Sequence, residues 1–445
     1  MLGEYMMVKV VKFGGSSLAS AEQFKKVADI IHADEARKYV VPSAPGKRFS
    51  ADTKVTDMLY TCYDIAAKGK DFDEKFAEIK KRYQEIIDGL GVDISLEEDF
   101  DAIKAGFKGK AGRDFAASRG EFLNGKVLAA YLGYEFVDAA EVIHFSDNGT
   151  YDATLTNNAL KERLNGIERA VIPGFYGVMP NDTIKTFSRG GSDITGSIVA
   201  AAVSADLYEN WTDTSGFLTT DPRIVKNPAP ITTITYRELR ELSYMGASVF
   251  HEDAIFPVRK AGIAINIKNT NKPEDPGTLI VESTSQKPAY TITGIAGKKG
   301  FTVINIEKDM MNAELGFGRR VLEVFEKNGV SFEHMPSGID TMSIIVHQES
   351  FADKEQEILA GLHRNCHPDS IDIETDLALI AVVGRAMKSN RGTAGRIFSA
   401  LAHSHINVKM IDQGSSELNV IIGVSEDDFE TAVKAIYDIF VETKL

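Results

Sequence analysis

The chain has 445 residues, which is enough for about three domains of typical size. Its formal net charge of −14 argues against a nucleic-acid or anionic-membrane partner, so an anionic ligand needs a local cationic pocket. Two cysteines, Cys62 and Cys366, are too few for a disulfide framework and fit a reducing cytoplasm. No apolar stretch is long enough to span a bilayer, and the N-terminus lacks the pattern of a signal peptide.

The beginning of the chain predicts a strand, a glycine turn and a helix. Met7–Phe13 is apolar enough for a buried strand, Gly14–Ser17 interrupts it, and Ser20 with Gln23 has the spacing of a capping box. Such a turn offers backbone N–H groups to a phosphate, although the spacing of a Walker loop is absent. Lys12 lies inside the strand, where burial is costly unless its ammonium group reaches an anion or solvent. We therefore predict that Lys12 binds phosphate, with a solvent-reaching edge lysine as the alternative.

A second strand, Tyr39–Val41, leads into a loop that carries Ser43 and Thr56, and Met58–Ala67 then predicts a helix. Ligands of α/β proteins bind at the ends of such strands, so this loop is a candidate binding segment. A polar turn followed by a helix cap would have the same composition.

The following segments complete an α/β pattern. Asp71–Ala105 has apolar residues at helical spacing and no evident chemistry, and Asp114–Gly133 predicts a helix with Glu121 among small or polar neighbours. The Glu121 carboxylate either meets an ammonium group or is solvated, as most helical glutamates are. With strands predicted at Tyr134–Asp138 and Ala170–Phe175, the pattern indicates a mainly parallel sheet covered by helices on both faces.

The tract Arg189–Asp193, with the sequence RGGSD, lies between an extended segment, Thr183–Phe187, and a predicted helix, Ile194–Leu207. Its two glycines allow a tight turn, and Ser192 is the expected helix cap, which leaves free N–H groups for an anion. Arg189 can bind a carboxylate or phosphate through two parallel hydrogen bonds. A capped turn with a solvent-exposed arginine is the alternative.

Hydroxyls and acids are concentrated in two tracts that follow a predicted strand, Asp206–Trp211. Thr212–Gly216 and Thr219–Arg223 have the groups that suit ribose, phosphate and a metal ion. A long loop held by Asx-turns and ST-turns would have a similar composition.

An internal repeat follows a polar linker at Ser283–Pro288. Val321–Phe332 aligns with Ile397–Val408, and each copy predicts a strand, a helix, two strands and a helix, which is a ferredoxin-like pattern. Two such units beside an α/β domain indicate a sensing module on an enzyme. A purely architectural pair is the alternative.

Several tracts together resemble the aspartate kinases of the amino acid kinase family, nearly from end to end. The matching tracts stand in the family's order: Lys12–Ser17, Ser43–Ala44, Gly120–Glu121, Arg189–Asp193, Trp211–Asp213 and Thr219–Arg223. The repeat is similar to the paired ACT domains of that family, which bind amino-acid effectors. The resemblance implies an amino acid kinase-like catalytic domain over residues 1–285 and ferredoxin-like βαββαβ ACT domains over 286–370 and 371–445, with interleaving of the two allowed for.

The resemblance implies transfer of the γ-phosphoryl group of ATP to the β-carboxylate of L-aspartate, which gives 4-phospho-L-aspartate. This reaction begins the pathway to lysine, threonine, methionine and, in many bacteria, diaminopimelate. Because the carboxylate is already ionised, no protein base is required. Mg²⁺ should bridge the β- and γ-phosphates through substrate oxygens and waters, so no dedicated protein metal site is expected.

The resemblance also implies roles for site residues. Lys12 and Asp193 are the expected catalytic residues, Lys12 on phosphate oxygens and Asp193 orienting that side of the site. The residues expected to bind aspartate, with Arg189 on a carboxylate and Glu121 on the α-ammonium group, are Ser43, Thr56, Glu121, Arg189, Gly190 and Ser192. Those expected to bind the nucleotide are Lys12, Gly14, Gly15, Ser16, Thr212, Asp213, Phe217 and Arg223.

Feedback inhibition by an amino acid is a further expectation from the resemblance, with lysine first and threonine as the alternative. The expected effector residues are Met311, Glu333, Ser337, Gly338, Asp340 and Thr341. Glu333 and Asp340 would bind an ammonium group, although surface acids would look the same. ACT units usually pair across subunits, which implies a homodimer or homotetramer. No nucleic-acid or membrane partner is expected.

Two features depart from the family pattern. The loop between Ser43 and Thr56 is longer, with Lys47-Arg48 added, which leaves the register of Thr56 open. Leu218 stands where many members have an aromatic residue against the nucleotide, so the adjacent Phe217 takes that role in the prediction. A kinase for another carboxylate, such as glutamate, and a non-catalytic amino-acid sensor are the alternatives. A nicotinamide dehydrogenase is disfavoured because the first turn lacks GxGxxG.

Overall fold

The computed structural model describes residues 7–188, 190–247 and 254–443. The strands in these ranges are β1 Lys9–Phe13, β2 Arg37–Pro42, β3 Glu135–Phe136, β4 Ala170–Val171, β5 Tyr176–Val178, β6 Ile184–Thr186, β7 Leu207–Thr212, β8 Thr233–Thr235, β9 Ala264–Asn269, β10 Thr278–Val281, β11 Gly294–Glu307, β12 Phe332–His334, β13 Thr341–His347, β14 Ser370–Val383, β15 Met410–Asp412 and β16 Asn419–Ser425. The α-helices are α1 Ala21–His32, α2 Val55–Ala67, α3 Asp73–Leu90, α4 Glu97–Lys108, α5 Arg113–Leu132, α6 Ala139–Val142, α7 Ala153–Arg163, α8 Gly191–Ala202, α9 Tyr236–Tyr244, α10 Phe256–Lys260, α11 Phe317–Lys327, α12 Gln348–Ala352, α13 Glu355–Cys366, α14 Thr393–His403 and α15 Phe429–Tyr437. None of these helices combines the length and apolar character that crossing a membrane requires.

The described residues group into two compact units. The first lies within Met1–Phe217, Pro230–Tyr236 and Val249–Thr284, and the second within Leu218–Ala229, Arg237–Ser248 and Ser285–Leu445. Two segments that precede residue 285 thus belong to the same unit as the C-terminal region. The domain boundaries at 285 and 370 stay predictions.

The first unit is built on an eight-stranded sheet with the order β3-β4-β2-β1-β7-β9-β10-β8. Neighbouring strands are parallel except β9 and β10, which confirms the predicted mainly parallel sheet. Because side chains alternate along a strand, Val11 and Phe13 face one side of β1 and Lys12 the other. Val11 and Phe13 pack in a core with residues of α1–α5, while α8 contacts β1, β2 and β7.

The helical segment predicted over Asp71–Ala105 consists of two helices, α3 and α4. Gly91 ends α3 in the left-handed conformation, with a φ of 65°. Both helices are bound into the main core by aromatic side chains, including Phe76, Phe100 and Phe107, whose rings meet mostly edge to face. At the start of α1, Ser20 is the cap residue as predicted, but its side chain makes no capping bond.

The second unit contains a six-stranded antiparallel sheet with the order β12-β13-β11-β14-β16-β15. The two central strands, β11 and β14, are 14 residues long and serve two apolar cores. Ile304 of β11 packs with α11 and α13, whereas Ile295 of the same strand packs with α14 and α15. Both long strands thus contribute residues to both apolar cores. The predicted ferredoxin-like fold of this region is confirmed, and the interleaving of its two halves stays a prediction.

Candidate active site

The turn after β1 holds the ammonium group of Lys12 close to the glycine backbone. A Cβ atom at Gly14 would lie 3.7 Å from Lys12 Nζ, so glycine leaves the space beside the ammonium group open. A Cβ atom at Gly15 would lie 2.8 Å from the carbonyl oxygen of Ala44, which makes glycine a requirement of the close approach. The Lys12 side chain is 9% exposed, and because it lies on the α8 side of the sheet it can reach a partner on that helix.

That partner is Asp193 in the first turn of α8. Lys12 Nζ lies 2.6 Å from Asp193 Oδ1, and the same oxygen accepts a hydrogen bond of 2.7 Å from Asn210 Nδ2. Lys12 and Asn210 are neighbours in the parallel register of β1 and β7. The carboxylate is thus held from two sides and fixes the direction of the lysine side chain. Asn210 was absent from the sequence prediction, because the pairing of two strands so distant in sequence leaves no local signal.

The glycine tract before Asp193 differs in detail from the prediction. Helix α8 begins at Gly191, and its cap is Gly190, which has a φ of 57°. The predicted cap, Ser192, is wrong, because Ser192 lies inside the first turn with 8% exposure and packs against Gly174. Gly191 must be glycine since a Cβ atom there would lie 2.4 Å from the ring of Phe175. Arg189 lies outside the described residues, and its role stays a prediction.

A cavity of about 540 Å³ brings together residues predicted for both substrates. Ser43, Thr56 and Glu121 line it together with Gly15 and Asp213. The remaining lining residues are Ser16, Ala44, Pro45, Gly46, Lys47, Phe49, Ser50 and Lys54. The loop before α2 therefore forms one wall of this cavity, which includes Lys47 of the added pair, and Thr56 lines it from the first turn of α2.

Glu121 is the most perturbed acid of this cavity. The residue is 6% exposed, and burial raises the pKa of its carboxyl group to about 8, opposed by a backbone hydrogen bond from Ala44. Arg119 lowers this pKa by a smaller amount. Oε2 of Glu121 is buried and has no hydrogen-bond partner among the described residues. Such a group is costly to bury unless a ligand pairs with it, so it is the expected contact of a cationic ligand group.

The residues predicted to bind the nucleotide differ in burial and in their position relative to the cavity. Thr212 ends β7, and its hydroxyl lies 3.3 Å from Oδ1 of Asp213, which lines the cavity. Phe217 is 2% exposed, and its backbone is bound to Thr278 and Ile231, so its ring has no surface to offer a base. The prediction for Phe217 is therefore wrong for a physical reason: the ring is part of the core.

Arg223 belongs to the second unit, where it forms an ion pair with Asp221. The two side chains meet at 2.6 Å, and the Arg223 side chain is 89% exposed. A guanidinium group this exposed is free to reorient toward an anion, and its predicted role on the nucleotide stays a prediction.

The predicted effector residues all lie in the first half of the repeat, but they differ in exposure. Met311 is part of the core with 6% exposure, so its side chain is not a surface contact for an effector. Glu333 already has partners: it lies 3.3 Å from His347 and its bond with the Tyr244 hydroxyl raises the pKa of that tyrosine to about 12.

The other four effector residues lie in a turn that is bonded internally. Gly338 N–H donates to the carbonyl of Thr341 at 2.7 Å, and Asp340 Oδ1 accepts from the N–H of Met310 at 3.0 Å. Ser337 is joined to Met342 by an isolated bridge. The turn is held by these bonds, and Ser337, Gly338 and Asp340 are exposed. Its role as an effector site stays a prediction.

Asn124 is a second residue that the sequence prediction missed. It lies one turn after Glu121 on α5, is fully buried, and donates a 2.6 Å hydrogen bond from Nδ2 to the carbonyl oxygen of Ser43. The small residues around Glu121 were the only sequence signal, since Gly120 allows α5 to approach Ala44 closely.

Comparison with known proteins agrees with this geometry. The model of the amino acid kinase family matches residues 7–269, and that of an ACT domain matches residues 380–440. The chain is 42% identical to aspartokinase 3 of Bacillus subtilis over 97% of this chain and 98% of that protein. The chain belongs to the aspartokinases of the amino acid kinase family. The predicted family and enzyme class are confirmed.

Solved structures of aspartokinases share the fold over nearly the whole chain. The aspartate kinase of Clostridium acetobutylicum, described as an allosteric enzyme, is 53% identical with a TM-score of 0.89, covering 98% of this chain and 100% of that one. Aspartokinase III of Escherichia coli, solved with aspartate and ADP, is 23% identical with a TM-score of 0.72, covering 97% of this chain and 99% of that one. At that identity the second likeness shows the fold alone.

Proposed function

We propose that this chain transfers the γ-phosphoryl group of ATP to the β-carboxylate of L-aspartate. The observation that carries the proposal is the buried, unpartnered oxygen of Glu121 in a cavity that also contains Gly15 and Asp213. The Glu121 oxygen suits an ammonium ion, and Gly15 and Asp213 belong to the two segments that we expect to bind the phosphates. The names of the relatives at 42% and 53% identity support the same reaction.

The aspartate end of the site would be assembled from three elements. Glu121 on α5 would pair with the α-ammonium group, and Ser43 and Thr56, at the two ends of the loop before α2, would contact the remainder of the substrate. By the family pattern, Arg189 would bind a carboxylate, and the start of α8 with Gly190 and Ser192 would add the positive end of the helix dipole.

The phosphate end depends on fixed positive charge. Lys12 would bind oxygens of the transferring group, and Asp193 with Asn210 would hold its side chain in that direction. Gly14, Gly15 and Ser16 would allow the phosphates to approach the backbone, while Thr212, Asp213 and Arg223 would hold the rest of the nucleotide. A β-carboxylate oxygen forms the new bond to phosphorus as the bond to the β-phosphate oxygen breaks and ADP leaves.

Charge neutralisation and positioning account for the catalysis in this proposal. The nucleophile is already an anion, so no proton has to be removed and no base is assigned. Mg²⁺ would neutralise the β- and γ-phosphates and would be held largely by substrate oxygens and waters.

A direct test measures ADP release by the purified protein with ATP, Mg²⁺ and L-aspartate, while hydroxylamine traps any acyl phosphate formed. We expect ADP release that depends on aspartate and equals the trapped product. Equal kcat/KM with L-glutamate would assign a different carboxylate kinase, and ATP binding without turnover of either acid would favour an amino-acid sensor.

We further propose that the second unit confers feedback inhibition, with lysine as the first candidate effector and threonine as the second. Its support is the match of an ACT domain, the allosteric description of the Clostridium relative and the exposed turn that carries Ser337, Gly338, Asp340 and Thr341. The reaction would begin the route to lysine, threonine and methionine, in a homodimer or homotetramer. Titration of lysine, threonine and both together in the ADP assay tests the effector, and a flat curve for lysine removes it.

A further inference from the structure

Arg82 is a buried charged residue to which the site described above gives no role. It lies on α3, in the segment in which the sequence showed no chemistry, and is only 4% exposed. Its Nη1 donates to Asp52 Oδ2 at 2.8 Å, and its Nη2 donates to the carbonyl oxygens of Gly46 at 2.7 Å and Ala19 at 3.1 Å. A buried guanidinium group in these contacts reaches both ends of the loop between β2 and α2.

The first part of this loop is fixed against the glycine turn. Ser43 N–H donates to the carbonyl of Phe13 at 3.0 Å, and Gly46 N–H donates to the carbonyl of Gly15 at 2.8 Å. A Cβ atom on Gly46 would lie 2.6 Å from the backbone of Gly15, so the two segments touch with no room between them. Arg82 binds the other side of this contact, because it holds the Gly46 carbonyl.

The second part of the loop is fixed through Asp52. Its side chain is 10% exposed and also accepts from Nε and the backbone N–H of Arg48, each at 2.9 Å. The Arg48 hydrogen bonds, opposed by burial and assisted by Arg82, hold the pKa of Asp52 well below its ordinary range. Arg48 is more exposed, at 37% of its side chain, so Arg82 is the partner that links Asp52 to the interior.

This loop supplies three parts of the cavity. Ser43 and Thr56, at the two ends of the loop, line the cavity. Ala44 lines it too and donates its backbone N–H to Glu121. A shift of the loop would therefore move the Ser43 and Thr56 contacts and remove a hydrogen bond from the carboxylate of Glu121.

We propose that Arg82 is a positioning residue for the aspartate pocket, which it sets by holding Gly46 and Asp52 in place from behind the loop. The proposal rests on the proposed aspartate kinase function. Arg82 should act on the affinity for aspartate more than on that for ATP, because the loop that it holds carries Ser43 and the Ala44 N–H that binds Glu121.

The test compares Arg82→Met and Arg82→Lys with the control Lys126→Met. Lys126 on α5 forms an equally direct ion pair with Asp99 on α4, at 2.7 Å, and touches no residue of the loop in its hydrogen bonds. For Arg82→Met we expect the aspartate KM to rise about tenfold to a hundredfold with the ATP KM within about threefold, and Arg82→Lys to recover part of the loss. Lys126→Met should leave both constants within about threefold.

A second readout is independent of activity. Hydrogen exchange of backbone amides in residues 43–54 should be faster in Arg82→Met than in the wild-type chain and unchanged in Lys126→Met. If the wild-type chain shows no aspartate-dependent ADP release, the proposed function fails, while the exchange measurement still decides whether Arg82 fixes the loop.

Two outcomes would overturn the proposal. One is a folded Arg82→Met variant with wild-type aspartate KM and wild-type exchange in the loop. The other is an equal rise of both KM values, which would indicate a general structural role. If Arg82→Met does not fold, Arg82→Lys and Asp52→Asn are measured in the same two ways, and unchanged values in both reject the proposal.

Discussion

The two ends of the candidate site treat charge in opposite ways. At the phosphate end, the ammonium group of Lys12 is buried against Asp193, which also accepts from Asn210, so these two charges have fixed partners. At the aspartate end, Glu121 is buried with one oxygen unpaired, and its pKa is raised to about 8. The first arrangement is ready before any ligand arrives, and the second is completed only by a ligand.

This difference fits the chemistry expected at each end. A phosphoryl group carries its negative charge throughout the reaction, so a permanent cation in a fixed direction stabilises it. An ammonium group of a substrate must be selected from solution, and a buried carboxylate that lacks a partner rewards only a ligand that supplies the missing charge. The phosphate end should therefore govern turnover, and the aspartate end should govern affinity and specificity.

The largest expected effect is at the phosphate end. Lys12→Met removes the charge beside the glycine turn, so kcat should fall about a hundredfold to a thousandfold with a smaller change in the aspartate KM. The coupled assay of ADP release measures both constants. Lys9→Met is the matched control, because Lys9 is on the same strand, faces the other side of the sheet and pairs with Asp34 at 2.7 Å. A Lys12→Met variant as active as Lys9→Met would contradict the assignment of this end.

Replacement of Glu121 tests the other end. Glu121→Gln keeps the shape of the side chain but loses the charge, so the aspartate KM should rise about tenfold to a hundredfold while kcat changes less. Succinate, which lacks the amine, is the control ligand, and its inhibition constant should differ by less than about threefold between the variant and the wild-type chain. An equal loss of affinity for succinate would show that Glu121 does not meet the ammonium group.

The pH dependence of aspartate binding sharpens the same comparison. Because burial raises the pKa of Glu121 to about 8, the empty site holds a neutral carboxyl group below that pH, and pairing with an ammonium group requires release of its proton. The apparent aspartate KM should therefore rise as pH falls, by up to about tenfold from pH 8.5 to 7. Initial rates across this range measure it, and Glu121→Gln should flatten the dependence. A wild-type KM that is constant over the range would mean that Glu121 is ionised in the empty site.

Much of the site was predictable because its signals are local. The glycine turn after β1 and Glu121 on α5 can each be recognised from the composition of a few consecutive residues. The local sequence pattern predicts the wrong residue where two nearby residues could both cap a helix. Gly190, not Ser192, is the cap of α8, because only glycine readily adopts the left-handed conformation there. Phe217 is buried and Leu218 is 37% exposed. Because both residues are apolar, the sequence does not show which of the two is exposed.

The unpredicted residues depend on distant pairing. Asn210 meets Asp193 only because β7 lies beside β1, and no pattern within either segment specifies that register. Arg82 lies at the edge of the apolar face of an amphipathic helix, where its charge alone would suggest a solvent-exposed side chain. It is buried because Asp52 and two carbonyl groups from other segments satisfy it. Buried polar residues of this kind are found from their partners, and the partners come from the fold.

The smallest expected effect concerns the link between Asn210 and the phosphate end. Asn210→Ala removes one hydrogen bond to Asp193 and leaves the Lys12 ion pair, so kcat should fall only about threefold to tenfold, as expected for a single hydrogen bond. Tyr236→Phe is the matched control, because the buried Tyr236 hydroxyl donates to the backbone carbonyl of Ile263 at 2.9 Å and contacts neither Asp193 nor Asn210 in its hydrogen bonds. Steady-state rates at saturating substrates decide between two arrangements. A loss in Asn210→Ala as large as that in Lys12→Met would mean that Asp193 cannot direct the lysine alone. Equal rates for Asn210→Ala and Tyr236→Phe would mean that Lys12 needs no orientation through Asn210.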